Sequence, residues 1–279
     1  MKYYFSPVSQ EAMEAAYIVE GEIGFCASIG QVGPNAYTGL TDDRFALLRQ
    51  HYSKVYGREV VAERDHLGRA GENSAEWIVR DIAHGFEECM LHIFDQAGLP
   101  SGVTGEMKLK WQIGPGEDDS REFLDSALHG WAMPTWVSFP TGCLIEGLGN
   151  RGQLNLRRVY ETRRYWPQLL IRAHNCDYLP AATIKQVKMF FDGMNIAPQV
   201  GCFQSCAYLI IARAMSLPIQ EWEDACWADQ DKIKRWGLNE RNFVQGMGHY
   251  HYDKIPWRQE FYTSVVERIS GFMQWVINL

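Results

Sequence analysis

The stretch Glu59-Val60-Val61-Ala62-Glu63-Arg64-Asp65-His66-Leu67-Gly68 decides the fold. An apolar, β-branched run becomes charged and ends on glycine, as a strand does when it runs into a loop. Ser74 then stands where a helix N-cap belongs, and the pattern predicts a helix as far as Ala83. Strand, loop and helix form one βα unit.

The unit recurs on both sides. Upstream, the sequence predicts a strand over Lys2 to Phe5, a helix from Gln10 to Val19 and a strand from Gly24 to Ile29. A Gly/Pro/Asn loop leads to Thr41, an N-cap, and Phe45, Leu48, Tyr52 and Val55 share one helix face. Downstream come strands at Cys89 to Phe94 and Glu106 to Ile113, the second alternating Glu106, Lys108, Lys110 and Gln112 with Met107, Leu109, Trp111 and Ile113. Then follow a helix at Ser120 to His129, a strand at Thr135 to Phe139 and a helix at Leu154 to Trp166. A strand at Gln168 to Ala173 leads to His174, and a helix covers Pro180 to Phe191. The last pair is a strand at Asn195 to Val200 and a helix at Phe203 to Met215. Strands alternating with helices predict a parallel sheet, here an α/β fold closed as a (β/α)8 TIM barrel over residues 1–216. Residues 217–279, rich in Trp and charge, read as a C-terminal helical extension packed on that barrel within the same domain.

The 279 residues are enough for one such barrel, and 46% hydrophobic with 22% charged residues is an ordinary globular composition. The net charge of −7 and the lack of a dense Lys/Arg run argue against nucleic acid as partner. MKYYFSPVSQ has no apolar signal core, and no run reaches the roughly 18 apolar residues of a membrane span. The expected location is cytoplasmic. Seven cysteines without a CxxC pair then read as reduced thiols, with Cys202 and Cys206 as neighbours on a helix.

Asp65 and His66 close a strand at the end where barrel enzymes keep their chemistry. A His there can bind a divalent metal while its Asp neighbour moves a proton; the plainer alternative is a turn that caps the next helix. Other ionisable residues are read onto the same interior: Arg64 with His66, then His92, then Glu106 with Lys108 and Lys110, then Arg172 with His174. Such groups are rarely buried unless paired, so the alternative is a barrel plugged by internal salt bridges. His249-Tyr250-His251 reads as surface or interface histidines.

Several segments resemble the tagatose-bisphosphate aldolase accessory-subunit family. They are Ala27-Ser28-Ile29-Gly30-Gln31-Val32, Tyr37-Thr38-Gly39-Leu40-Thr41 with Asp43 and Phe45, and Asp65-His66-Leu67-Gly68. His92, Glu106 before Gly114-Pro115-Gly116, and Ala173-His174-Asn175-Cys176-Asp177-Tyr178 continue the likeness, which spans roughly Phe5 to Met215. The resemblance implies a barrel similar to class II aldolases, in which a divalent metal polarises a ketose carbonyl. Carried over by position, Asp65 is the acid/base, His66 and His174 are metal ligands, and Glu106 is a third. Where the family has Asp-His after its sixth strand, this chain has Ile145-Glu146-Gly147, so Glu146 is the candidate replacement ligand. Zinc is the expected metal, with manganese the alternative. Arg69 replaces a proline, and the stretch from Phe94 to Glu106 is short for the family's helix.

The expected function is therefore a metal-dependent lyase or epimerase acting on a ketose or ketose phosphate, by retro-aldol cleavage or C4 epimerisation. Arg64, His92, Lys108, Lys110, Arg172, Gln31 and Asp177 are read as its substrate-binding residues. The alternative is a non-catalytic partner subunit that stabilises a separate sugar-bisphosphate aldolase, with the Trp-rich extension as interface. A homo-oligomer, or a hetero-oligomer with an aldolase subunit, is expected accordingly. A third reading is a Schiff-base aldolase using Lys108 or Lys110.

Overall fold

The computed structural model describes residues 1–27, 40–65, 74–92, 108–113, 121–130, 134–139, 143–151 and 153–279, excluding the side chains of 74–77, 91, 92, 109 and 130. Gln31, His66 and Glu106 lie outside these residues, as does the side chain of His92.

The first six barrel strands are β1 (Lys2–Phe5), β2 (Ile23–Ala27), β3 (Val61–Arg64), β4 (Glu88–His92), β5 (Lys108–Gln112) and β6 (Trp136–Ser138). A separate antiparallel hairpin follows, β7 (Leu144–Glu146) with β8 (Gly149–Arg151), and the barrel resumes with β9 (Leu170–Ala173) and β10 (Gly193–Ile196). Eight strands close in the order β1-β10-β9-β6-β5-β4-β3-β2, all pairs parallel. The expected barrel is the observed one.

The surrounding helices are α1 (Gln10–Ile18), α2 (Asp42–Tyr56), α3 (Ser74–Ala83), α4 (Arg121–Gly130), α5 (Arg157–Tyr165), α6 (Ala181–Phe190) and α7 (Pro198–Met215). Ser9 caps α1 by accepting from the Ala12 N–H at 3.1 Å, and Thr41 caps α2 through the Arg44 N–H at 3.3 Å. The last strand is Gly193–Ile196, earlier than the sequence pattern implies, because Pro198 starts α7 at once. A proline fits a first helical turn, where its missing N–H is no loss.

Alternation along each strand builds two cores. Phe5, Phe25, Ala62, Trp111, Val137, Ile171 and Met194 face outward into the layer between strands and helices. Tyr4, Cys26 and Trp136 form a separate inner cluster. Gly24 sits where the Tyr4 ring crosses the barrel, and a Cβ there would lie 2.6 Å from that ring.

The chain continues through α8 (Gln220–Ala228), α9 (Gln230–Arg235) and α10 (Phe243–Met247), then short 3-10 turns, to α11 (Tyr262–Asn278). The helix α11 lies against α1 and α7. Trp222 and Trp257 are buried, donating their indole N–H groups to Gly248 O and Pro218 O. These two indoles serve the fold rather than an interface; Trp227 and Trp275 are exposed. Among the described residues, no helix is long and apolar enough to cross a membrane.

Candidate active site

The middle of the barrel is filled by charge. The Lys110 ammonium donates to Glu63 Oε1 at 2.6 Å, and the Arg172 guanidinium donates to the other Glu63 oxygen and to Glu88 Oε2 at 2.9 Å. The Tyr4 hydroxyl donates to Glu88 Oε2 at 2.6 Å, and Arg172 lies over the Tyr4 and Trp136 rings, 3.4 and 4.2 Å from their centroids. Burial would raise the Glu88 carboxyl, but Arg172, Lys2 and the Tyr4 hydroxyl outweigh it and hold it below the ordinary range. Two buried carboxylates against two buried cations make an ion-paired floor, with the less buried Lys2 3.5 Å from Glu88 at its edge.

This floor corrects several expectations. Lys110 and Arg172 do face the interior, but both are fully buried in ion pairs and cannot also hold a substrate anion. An ammonium bound to a carboxylate is also a poor carbonyl nucleophile, which removes the Schiff-base role from Lys110. Lys108 is exposed at the start of β5, the end of the barrel opposite the catalytic rim.

Arg64 is corrected too. Glu63 points inward, so its neighbour Arg64 points outward. Arg64 donates to Asp42 of α2 at 2.8 Å and to Asp81 of α3 at 3.0 Å, and lies 4.4 Å from the Phe86 ring centroid. It fastens β3 to two helices.

Above the floor, Asp65 follows Glu63 by two residues, and His174 follows Arg172 by two. Each lies just past the end of its strand, and the Asp65 charge is close enough to act on Asp177 and on the interior Cys26. The Asp65 N–H donates to Ala27 O at 3.0 Å, which keeps Asp65 in register with β2. Asp65 is 2% exposed, and His174 is half-buried. The same end of the barrel carries buried polar atoms with no hydrogen-bond partner among the described residues: Ser6 Oγ, Gln112 Oε1, Ser138 Oγ, and both amide atoms of Asn195. Buried polar groups are normally satisfied, so this ring is shaped to receive something that can hydrogen-bond.

Asp177 adjoins this ring. Its Oδ1 accepts from the N–H groups of Ala197 at 2.9 Å and Gln199 at 2.8 Å, holding the start of α7. Burial pushes its carboxyl up to about 7 against those N–H groups, with the Asp65 charge adding to the rise. Asn175 and Tyr178 flank it with φ of 56° and 58°, a backbone region that costs energy in non-glycine residues. Asn150 of the hairpin donates to the carbonyls of Asn175 and Asp177 at 2.8 and 2.7 Å and secures that loop.

Glu146 does not join this group. Its carboxylate pairs with Arg151 at 2.9 Å on the exposed hairpin, and its Cγ lies against Gly237. Among the described residues, no three metal-ligating side chains converge. The histidines of the extension are corrected as well: His249 is buried, and His251 meets Asp229 at 3.0 Å.

The sequence reading missed Glu63, Glu88, Tyr4 and Asn150. Two of them carried a signal: Glu63 stands at strand spacing from Asp65, and Glu88 directly precedes the apolar run Cys89-Met90-Leu91.

No protein-family model matches the chain, and no curated protein matches its sequence. Its fold matches two solved aldolases. The YdjI aldolase from Escherichia coli K12 superposes with a TM-score of 0.57 at 14% identity, covering 92% of this chain and 91% of that one. The fructose-bisphosphate aldolase from Campylobacter jejuni superposes with a TM-score of 0.60 at 12% identity, covering 100% of this chain and 89% of that one. The chain thus has an aldolase-like barrel.

Proposed function

We propose that this protein performs aldol-type chemistry on a ketose, either retro-aldol cleavage or C4 epimerisation. The observation that carries the reading is a buried Asp65 near Asp177, at the end of the barrel that also holds polar atoms of Ser6, Gln112, Ser138 and Asn195 with no hydrogen-bond partner among the described residues. The fold shared with two aldolases and the motif resemblance to the tagatose-bisphosphate aldolase accessory subunits support it.

The residues divide the work. Neutral donors and acceptors on the ring match the hydroxyl groups of a sugar. Of the four cations read as phosphate partners, Arg64, Lys110 and Arg172 are held in ion pairs and Lys108 stands at the other end of the barrel, so the proposed substrate is held mainly through hydroxyls. Asp65, buried and at the rim, takes and returns the proton at a hydroxyl or a carbon next to the carbonyl. Asp177 fixes the start of α7 and adds to the field around Asp65.

A divalent metal, zinc or manganese, belongs to this proposal. Imidazole and carboxylate donors suit such an ion, and His174 reaches the rim. His66 and His174 would hold it, with Glu106; Glu146 is tied to Arg151 and is left out. When bound, the ion supplies Lewis-acid polarisation of the ketose carbonyl.

The test is deuterium exchange, followed by NMR in D2O, into a panel of ketoses and ketose phosphates, with metal content measured on the same samples. Exchange next to the carbonyl that Asp65→Asn abolishes and His174→Ala weakens supports the reading. Sugar binding without exchange would favour the partner-subunit role. Exchange that survives Asp65→Asn would remove Asp65 from the chemistry.

A further inference from the structure

A second cavity, of about 380 Å3, lies outside the barrel wall. It is bounded by the first turn of α1 (Ser9, Glu11), Arg44 of α2, and the segment that carries His249, Tyr252 and Arg258. Its volume is within the range of small-molecule sites.

His249 is its unusual feature. The side chain is 3% exposed, and neither ring nitrogen has a hydrogen-bond partner among the described residues. The ring rests on Gly201 of α7, where a Cβ would lie 2.8 Å from Nδ1, so the helix is bare at the point that admits the imidazole. A fully buried polar group without a partner is rare and calls for one.

The lining narrows what that partner can be. Its strongest charges are matched: Arg258 is bonded to Glu11, which also accepts from the Tyr208 hydroxyl at 2.7 Å. Arg44 donates to Gln10 Oε1 at 2.8 Å, and Asp253 pairs with Lys254 at 3.5 Å. Arg44 keeps its charge but is exposed to solvent and spends a donor on a neutral amide, so among the described residues no buried charge of the lining is left without an ion-pair partner to select an ion. Burial, with the nearby Lys232 and His251 charges, lowers His249 to about 3, so its imidazole is neutral at physiological pH. A neutral imidazole offers one donor and one acceptor, the pair a hydroxyl group answers. Tyr250, Tyr252 and Tyr262 also line the cavity and bring apolar ring surface.

We propose that this cavity binds a small uncharged polyol, of the size of a monosaccharide, with a hydroxyl group on the His249 imidazole. The site uses none of the residues assigned to aldol chemistry and stands independently of that reading.

The test uses the whole chain with 15N-labelled histidine. The His249 ring resonances are followed while D-galactose, D-fructose, D-ribose, myo-inositol and glycerol are each titrated in. At least one probe should move them saturably, with the same affinity in Asp65→Asn, which separates this cavity from the barrel mouth. Ligand-observed NMR should show that probe bound about tenfold more weakly by His249→Phe, the loss expected for one hydrogen bond. His249→Gln, which keeps a donor and an acceptor, should retain more binding than His249→Phe and guards against a folding defect. Resonances unmoved by every probe would mean an ordered water only and overturn the proposal. Unchanged affinity in His249→Phe would overturn it as well.

Discussion

Glu63 and Arg172 meet across the barrel, from β3 to β9, and neither is exposed to solvent. Their contact ties β3 to β9 two residues before Asp65 and His174. Removing one charge leaves its partners buried and uncompensated, which is costlier than removing a matched pair. Glu63→Gln should therefore destabilise the protein by about 3–5 kcal/mol in chemical denaturation. The double variant Glu63→Gln with Lys110→Met should recover part of that loss. Additive losses would mean that the floor is not a coupled network.

Arg64 tests the register of β3. Its guanidinium fastens Asp42 and Asp81 on the outer side of the wall. Arg64→Leu leaves the buried Asp81 without its ion-pair partner and Asp42 with Arg80 alone, and should cost about 3–5 kcal/mol. Substrate affinity of the folded fraction should not change. A variant of normal stability with weakened sugar binding would place Arg64 in the interior instead.

Asp177 gives a pH signature. Its carboxyl is at about 7 in the folded chain, above the unfolded value of 3.8. Between these values the folded state holds a proton that the unfolded state has lost, so this group's contribution to stability falls as pH rises from about 4 to about 7. His249 acts in the opposite sense: lowered to about 3 from 6.5, it contributes stability above 6.5 that is lost as pH falls towards 3. The useful measurement is therefore the difference between wild type and Asp177→Asn, since Asn keeps a helix cap without titrating. That difference should move in favour of the variant by a few kcal/mol, of order 4, across the window. A flat difference would mean that Asp177 is ionised throughout.

The barrel was legible because each βα unit writes its own pattern: Thr41 as a cap, the alternation of Lys108, Lys110 and Gln112, and the strand before His174 all appear where expected. Arg64 was misplaced for a definite reason. Period two says only that Arg64 and Asp65 point opposite ways, and a polar interior lets either one be the inward residue. What a charge pairs with is also a tertiary fact. Lys110 and Arg172 look the same in sequence whether they await a phosphate or close on Glu63 and Glu88. The alternative of an internal salt-bridge plug was the correct reading for the floor.

The last prediction concerns a pair of thiols. Cys202 and Cys206 lie four residues apart on α7, and neither is in a disulfide bond. A hydrogen bond from Cys202 lowers the Cys206 thiol to about 7 against the effect of burial, while Cys202 itself is raised. The thiolate is the nucleophile in alkylation, so reactivity follows both exposure and ionisation. Cys26, Cys89 and Cys176 are buried and pushed well above the ordinary thiol range, mainly by burial. Iodoacetamide at neutral pH should accordingly label Cys206 before these three, with a rate whose midpoint lies near pH 7. Cys202→Ala removes the donor and should move that midpoint upward by about a unit or more. Peptide mass spectrometry across a pH series reads both quantities. A Cys206 midpoint that is the same in the variant would mean that the two thiols do not share a proton-donating contact.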